Sequence, residues 1–289
     1  MDSIRLDCNA KINLFLRILE RREDGYHNIE TVFHSISLHD TLTLTKARSG
    51  ISVSCDSPGV PVDESNTALV AARKILGAKN VGLKIEIEKR IPVGAGLGGG
   101  SADAAGVLVG ANELFELGLS LSDLERIGAR VGSDVPFLVR GGCAIGRGRG
   151  ELLERFPSLP AAPLVLVVPS LSISSAWAYR AHKMVLTRGR GGLTMVASAL
   201  AGGDLASLLS LLENDFESLV FEEHPMVRGI KKSLIEWGAG GALMSGSGPV
   251  VYGFFGKVGD AEACKGRFLD KGHVAILSAL TDKGVTAYW

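Results

Sequence analysis

The chain has 289 residues, 46% of them hydrophobic, and its 31 Lys and Arg balance 31 Asp and Glu for a formal net charge of zero. Such a composition builds a substantial core in one large or two medium domains and excludes general disorder. Balanced charge argues against a nucleic-acid partner, and the longest apolar run, Ala161 to Val168, is too short to cross a bilayer, so no membrane partner is expected.

Cys8, Cys55, Cys143 and Cys264 show no CxxC spacing and read as reduced, mostly buried thiols. The first residues carry neither a signal-peptide pattern nor an Arg- and Ser-rich transit segment, so a cytoplasmic location is expected.

The chain opens with strands. Ile4 and Leu6 lead into Cys8, then Ile12, Leu14, Leu16 and Ile18 alternate with Asn13, Phe15 and Arg17. Lys11 stands between them, flanked by Asn9 and Asn13. Polar groups in an apolar strand cost free energy unless each finds a partner. Lys11 therefore either faces solvent on an edge strand or contacts a phosphate or a carboxylate. Arg21 to His27 reads as a polar hairpin turn, with Asp24 and Gly25 supplying the turn chemistry and Tyr26 and His27 opening the next strand. On its own, such a Tyr-His pair is ordinary surface.

Short strands follow at Thr31–Leu38, Thr41–Thr45 and Ile51–Ser54. A helix opening in the stretch Asp63 to Thr67 is capped by Ser65 or Asn66 and runs to about Leu76, with Ala68, Ala71, Ala72 and Ile75 on one face. Val81, Leu83, Ile85 and Ile87 alternate as a half-buried strand.

The next stretch organises the rest: Pro92, Val93, Gly94, Ala95, Gly96, Leu97, Gly98, Gly99, Gly100, Ser101 and Ala102. Between Gly94 and Gly100 only Leu97 is larger than alanine. Such a loop cannot pack a core, but its bare backbone can wrap closely around a ligand. Behind it, Ala104, Ala105, Leu108, Ala111, Leu114 and Phe115 share one helix face, and Gly118 is placed to end the helix. The order strand, glycine loop, helix makes an anion site at the helix N-terminus, most often for phosphate. Ser101 at the helix start either caps the helix or meets a phosphate or its Mg²⁺. No lysine follows the glycines as in GxxxxGK[ST], and no acidic residue completes a dinucleotide fingerprint. A flexible linker is the plain alternative, against which the regular flanks argue.

Ser120 or Ser122 caps a further helix through Val131, followed by Gly132, Ser133, Asp134, Val135 and Pro136. From the residues alone Asp134 is either an N-cap for a short helix at Pro136 or a group with another task. Gly141 to Gly150, containing Arg149, forms a glycine-rich strand and turn. Pro160 to Pro163 marks a boundary, giving expected domains 1–160 and 161–289. Beyond it come an apolar strand at Leu164–Val168, a helix beginning at Ser174 and Ser175, and a mobile basic loop at Gly189–Gly192. Helices are predicted at Thr194–Ala201, Asp204–Glu213 and Pro225–Trp237. A second glycine cluster, Gly238 to Pro249, is either a tight turn before the strand Val250–Phe255 or a backbone wall near the phosphates; its length and glycine content favour the wall. A helix at Asp260–Leu269 and a strand at Val274–Leu277 finish the chain. Mixed elements with a β-rich first half argue for an α+β fold.

The glycine loop, the Asn9–Leu14 stretch containing Lys11 and Asn13, and the second glycine cluster together resemble three motifs of the GHMP kinases, the family of galactokinase, homoserine kinase, mevalonate kinase and phosphomevalonate kinase. The resemblance covers the whole chain. It implies a two-domain α/β sandwich with ATP and an alcohol acceptor in the cleft between the halves. It implies ATP phosphates on the loop from Pro92 to Ala102, Asn66 and Lys89 near the adenine and ribose, Mg²⁺ bridging phosphate oxygens with help from Ser101, and Lys11 and Asp134 as the catalytic pair. The triple-glycine form with Gly25, Tyr26 and His27 is similar to the branch that phosphorylates a cytidine diphosphate derivative. That branch implies Asn13, Arg149 and Ser175 on the acceptor, His27 on the cytosine edge, and Tyr26 with Tyr179 over its ring. Other small-molecule kinases of the family and a non-catalytic nucleotide sensor are the competing readings. Asp103 adds a charge close to the proposed phosphates, unfavourable unless it points away or meets a cation.

Overall fold

A long hairpin carries the fold of the computed structural model, which describes residues 2–77, 79, 81–181 and 192–288. The short strands read from the first 47 residues merge into β1 (Ser3–Arg21) and β2 (His27–Ala47), antiparallel over most of their length. The register shifts between Asn9 and Lys11 and between Asn13 and Phe15. These irregularities fall where the polar residues stand, and such breaks re-aim side chains locally. β3 (Ile51–Cys55), α1 (Thr67–Leu76) and β4 (Gly82–Glu88) follow, with β3 parallel to β4 and β4 antiparallel to β2. Asn66 caps α1, accepting from the amides of Ala68 and Leu69.

α2 (Gly99–Leu114) lies directly on this sheet. Gly106 and Gly110 permit the approach, since a Cβ there would come within 2.2 Å of Cys8 Sγ and 2.5 Å of a Leu44 methyl. α3 (Leu121–Gly128), held by a capping box of Ser120 and Asp123, and α4 (Val135–Arg140) pack beside it, then β5 (Cys143–Arg147) and β6 (Leu152–Phe156) extend from β2. The second half holds β7 (Pro163–Val168), α5 (Ser175–Ala181), α6 (Leu193–Ala201), α7 (Leu205–Leu209), β8 (Glu213–Asn214), α8 (Phe216–Glu223), α9 (Pro225–Glu236), β9 (Gly241–Met244), β10 (Val251–Phe254), α10 (Val258–Asp270), β11 (Val274–Ala279) and β12 (Val285–Tyr288).

Two sheets result. One runs β12-β1-β2-β4-β3, with β5 and β6 continuing from β2 and β8 on β1; the other runs β11-β7-β10-β9. The boundary expected at 160/161 falls between β6 and β7, but β8 and β12 return to β1, so the halves share a sheet. The larger core lies between the first sheet and α1, α2 and α4; a second gathers Phe216, Leu234 and Phe268 against β7, β9 and β10.

Four local expectations are corrected. The helix predicted to reach Glu213 stops at Leu209, because Glu213 and Asn214 pair in parallel with Phe15 and Leu16. α3 ends at Gly128, three residues before Val131. α2 ends at Leu114, and Gly118 follows in a loop where Glu116 already adopts a left-handed φ of 50°. The second glycine cluster is a hairpin in part, since Gly241–Met244 pair with β10. The basic loop at 189–192 lies outside the described residues except for Gly192. All four cysteines are free thiols, and burial raises the pKa of Cys143 to about 12. Among the described residues no helix is long and apolar enough to cross a membrane.

Candidate active site

The glycine loop leaves β4 and enters α2 with Gly94, Gly96 and Gly98 all at positive φ, 66°, 76° and 74°. Gly98 occupies the N-cap position and brings no side chain; Ala102 N–H donates to Gly98 O, closing the first helical turn. The amides of Gly99, Gly100 and Ser101 therefore have no helical acceptor and carry the positive end of the dipole. Ser101 is the third residue of the helix and not its cap. Two anchors hold the loop: Lys11 N–H donates to Leu97 O at 3.0 Å, and Ser245 Oγ donates to Gly96 O at 2.9 Å. A Cβ on Gly96 would sit 2.1 Å from Ser245 O, so the turn after β9 is pressed against the glycine loop. The second glycine cluster is thus both hairpin and wall.

Beneath the loop lies Lys11, 4% exposed, which removes the solvent-facing edge-strand reading. Its Nζ donates to Asn13 Oδ1 at 2.6 Å and stands 3.6 Å from Asp134 Oδ2. Asn13 in turn donates to Thr31 Oγ1 at 2.7 Å, and Thr31 donates to Phe15 O. Burial lowers the Lys11 pKa, and Asp134 works in the opposite direction. Asp134 does stand at the N-cap position of α4, yet its side chain makes no capping hydrogen bond. Its carboxylate faces Lys11 with its side chain 30% exposed.

On the helix side, Lys89 Nζ donates to Asp40 Oδ2 at 2.5 Å and to Asp103 Oδ2 at 2.6 Å, all three nearly buried. Asp103 thus meets a cation. Desolvation raises its carboxyl to about 7 in spite of Lys89, with Asp40 adding to the rise. The Asn66 side chain is engaged by its helix and by Pro61 O, to which it donates at 2.6 Å. Thr67 Oγ1 donates to Gly100 O, joining α1 to the loop.

Opposite the loop, His27 stacks on Tyr179 with centroids 5.6 Å apart and planes 18° from parallel, and Tyr179 meets Phe216 edge-on at 4.9 Å. The ring directly against Tyr179 is His27. Tyr26 stands outside this stack, 56% exposed, with Arg149 Cζ 5.1 Å from its centroid. Burial and then the charge of Arg21 lower the His27 pKa. Ser175 Oγ lies 2.8 Å from Ser247 Oγ, linking the start of α5 to the turn after β9.

One cavity of about 1280 Å³ is bordered by Gly96, Gly98, Lys11, Asp134, His27 and Tyr179. Single-ligand pockets run to roughly 1,000 Å³, so there is space for two ligands. Sequence reasoning missed Asp40, although a signal exists. Asp40 has the strand parity of Leu42 and Leu44 and is buried with them, a carboxylate on the apolar face of β2. Phe216 and Ser247 were also missed, because their partners lie far away in sequence. Among the described residues no group of three His, Cys, Asp or Glu could hold a metal ion.

The descriptions "GHMP kinases N terminal domain" and "GHMP kinases C terminal" match residues 66–142 and 196–273. The chain is 44% identical to a protein of Synechococcus sp. named 4-diphosphocytidyl-2-C-methyl-D-erythritol kinase, covering 88% of this chain and 85% of the relative. It is 44% identical to a protein of that name from Moorella thermoacetica, covering 88% and 90%. A solved 4-(cytidine 5'-diphospho)-2C-methyl-D-erythritol kinase superposes with TM-score 0.79 at 32% identity, covering 96% of this chain and 98% of that one. A homoserine kinase from Cytophaga hutchinsonii gives 0.80 at 19% identity, a likeness of fold.

Proposed function

This chain belongs to the GHMP kinases, and from that premise we propose that it transfers the γ-phosphoryl group of ATP to the 2-hydroxyl of 4-diphosphocytidyl-2-C-methyl-D-erythritol, a step of non-mevalonate isoprenoid precursor biosynthesis. The observation that carries the reading is the Lys11–Asp134 pair, set at 3.6 Å between the glycine loop and the His27–Tyr179 stack in one cavity. In phosphoryl transfer the protein contributes mainly position and charge stabilisation.

The amides of Gly99, Gly100 and Ser101 receive phosphate oxygens at the positive end of α2. These residues fit Mg²⁺ carried by the nucleotide: Ser101 would offer a hydroxyl at the start of α2, and Asp103, which meets Lys89 through Oδ2, keeps a buried Oδ1 without a hydrogen-bond partner. When bound, Mg²⁺ would neutralise part of the phosphate charge. Asp134 accepts the proton of the attacking hydroxyl as its oxygen bonds to the γ-phosphorus and the bond to the β-phosphate oxygen breaks, releasing ADP and the 2-phosphate. Lys11, fixed by Asn13, holds Asp134 and the attacking oxygen together. At the far end the half-buried stack of His27 and Tyr179, with Tyr26 and Arg149 at its rim, suits a flat base with a polar edge. Ser175 borders the same cavity. The reading includes a cytoplasmic location and a small-molecule acceptor.

A panel of acceptors with saturating ATP tests it by ADP release. Turnover is expected with 4-diphosphocytidyl-2-C-methyl-D-erythritol and not with mevalonate or homoserine. Preference for either of those, or no ADP release with any alcohol, would overturn the reading.

A further inference from the structure

We infer that Asp40 is the positioning residue of the nucleotide wall, fixing from beneath the helical turn that receives the phosphates. The inference rests on the reading of the glycine loop as the ATP site.

β4 leads directly into the glycine loop. Its ladder with β2 ends at the pair Thr41 and Glu88. Beyond that point the strand is held by a side chain: Asp40 Oδ1 accepts from Arg90 N–H at 2.6 Å and from Ile91 N–H at 2.8 Å. Its other oxygen accepts from Lys89 Nζ at 2.5 Å. One fully buried carboxylate therefore sets three consecutive residues at the entrance to the glycine loop. From there the contact passes upward. A Cβ on Gly99, the first residue of α2, would lie 3.0 Å from Ile91 Cγ2 and 3.1 Å from Lys89 Nζ, so Gly99 rests on both. Lys89 also grips α2 itself through Asp103 at 2.6 Å. Sheet, loop entrance and helix N-terminus are tied through one ammonium and one carboxylate.

Asp40 does not border the cavity, so it acts through Lys89, Ile91 and Gly99 and is not itself a catalytic residue. A bare carboxylate close to ATP would repel it; Lys89 pairs with both Asp40 and Asp103 and offsets part of that charge. A purely structural ion cluster would hold the whole domain and favour neither ligand. A positioning residue weakens ATP selectively.

Asp40→Asn keeps an oxygen for the two amides and gives up the charge toward Lys89; Asp40→Ala gives up both. Calorimetry on the full chain would measure ATP and 4-diphosphocytidyl-2-C-methyl-D-erythritol separately, with the melting temperature as a check on folding. Charge-assisted hydrogen bonds of this kind predict a Kd for ATP raised about thirtyfold in Asp40→Ala and about tenfold in Asp40→Asn. The acceptor Kd should stay within about twofold, and KM for ATP should rise more than kcat falls. A folded Asp40→Ala with ATP affinity within twofold of wild type, or one that loses both ligands equally, would overturn the inference. If Asp40→Ala does not fold, Asp40→Asn decides alone by the same criteria. Gly98→Val separates the premise: wild-type ATP affinity in that variant would overturn the glycine-loop reading itself, whereas its loss beside an unaffected Asp40→Asn would overturn only the role of Asp40.

Discussion

The wall of the cleft around Gly94–Gly100 is backbone, set by three left-handed glycines and held from below by the buried Asp40–Lys89–Asp103 cluster. The wall around His27 and Tyr179 is side chain, brought together from a hairpin end and α5, and braced by Phe216. A ligand common to the whole family can be held by backbone amides, which every residue but proline carries. A ligand particular to one branch calls for side chains, which change without refolding the wall. Glycine variants on the first wall should therefore act in an all-or-none manner on ATP, with the cluster beneath it giving graded losses, and variants on the second wall should grade the acceptor.

The largest effect is expected at Gly96. With φ at 76° and a Cβ position 2.1 Å from Ser245 O, valine would have to displace either the loop or the turn after β9. Gly96→Val should lower ATP affinity by more than about a hundredfold, since displaced amides no longer converge on the phosphates. Calorimetry within threefold of wild type on a folded variant would show that the loop does not hold phosphate.

Next in size is Asp134→Asn, which tests the point where the two walls meet. General-base loss predicts turnover down about a hundredfold or more, with both ligands still bound. A variant retaining half its turnover would make Asp134 a structural residue. The pH profile sharpens this. Burial holds Lys11 below the ordinary lysine value of 10.5, and Asp134 pushes it back up. Activity that needs the Lys11 ammonium is lost as pH rises through that lowered pKa, so the alkaline limb should begin below 10.5. Removing the Asp134 charge should move it to still lower pH.

Much of the first wall was legible in the residues. Strand, glycines and helix follow one another within thirty-odd positions, and their chemistry is local. The pairing of Lys11 with Asp134 was not legible from spacing, because the two lie on β1 and at the start of α4 and meet only through the packing of α4 beside α2. The family resemblance supplied it. Asp40 escaped because a carboxylate in His39-Asp40-Thr41 reads as solvent-facing until its parity with Leu42 and Leu44 is noticed. Glu213 was drawn into a helix because its helical context is local and its partner, Phe15, is some two hundred positions away. Side-chain walls share this difficulty: nothing near Tyr179 in the chain announces His27.

On that second wall, Tyr179→Ala should weaken the acceptor by about five- to a hundredfold, the range for one aromatic stacked on a base. His27→Ala should give a separate loss by leaving the base edge unpaired. Because Tyr179 packs on Phe216 and His27, its removal should also lower the melting temperature. Tyr26→Ala should weaken the acceptor within the same range and leave the melting temperature unchanged, as its ring is 56% exposed. ATP affinity should hold within about twofold throughout. Equal losses of ATP and acceptor in Tyr26→Ala would make Tyr26 part of the fold.

The smallest effects, and the most discriminating, are those of Tyr26→Phe and Tyr179→Phe. A base stacks on the face of an aromatic ring, and phenylalanine keeps the face. Among the described residues neither hydroxyl has a hydrogen-bond partner: Tyr26 has Arg149 over its ring, an attraction that depends on the π system, and Tyr179 is fixed by its ring contacts with His27 and Phe216. Desolvation keeps the Tyr179 phenol protonated across the working pH range, so its loss removes no charge. Acceptor affinity in both variants should therefore lie within about twofold of wild type, less than one neutral hydrogen bond is worth. A tenfold loss in either would mean that the hydroxyl reads the acceptor directly, and the second wall would then recognise a polar edge at two places, with His27 supplying only one of them.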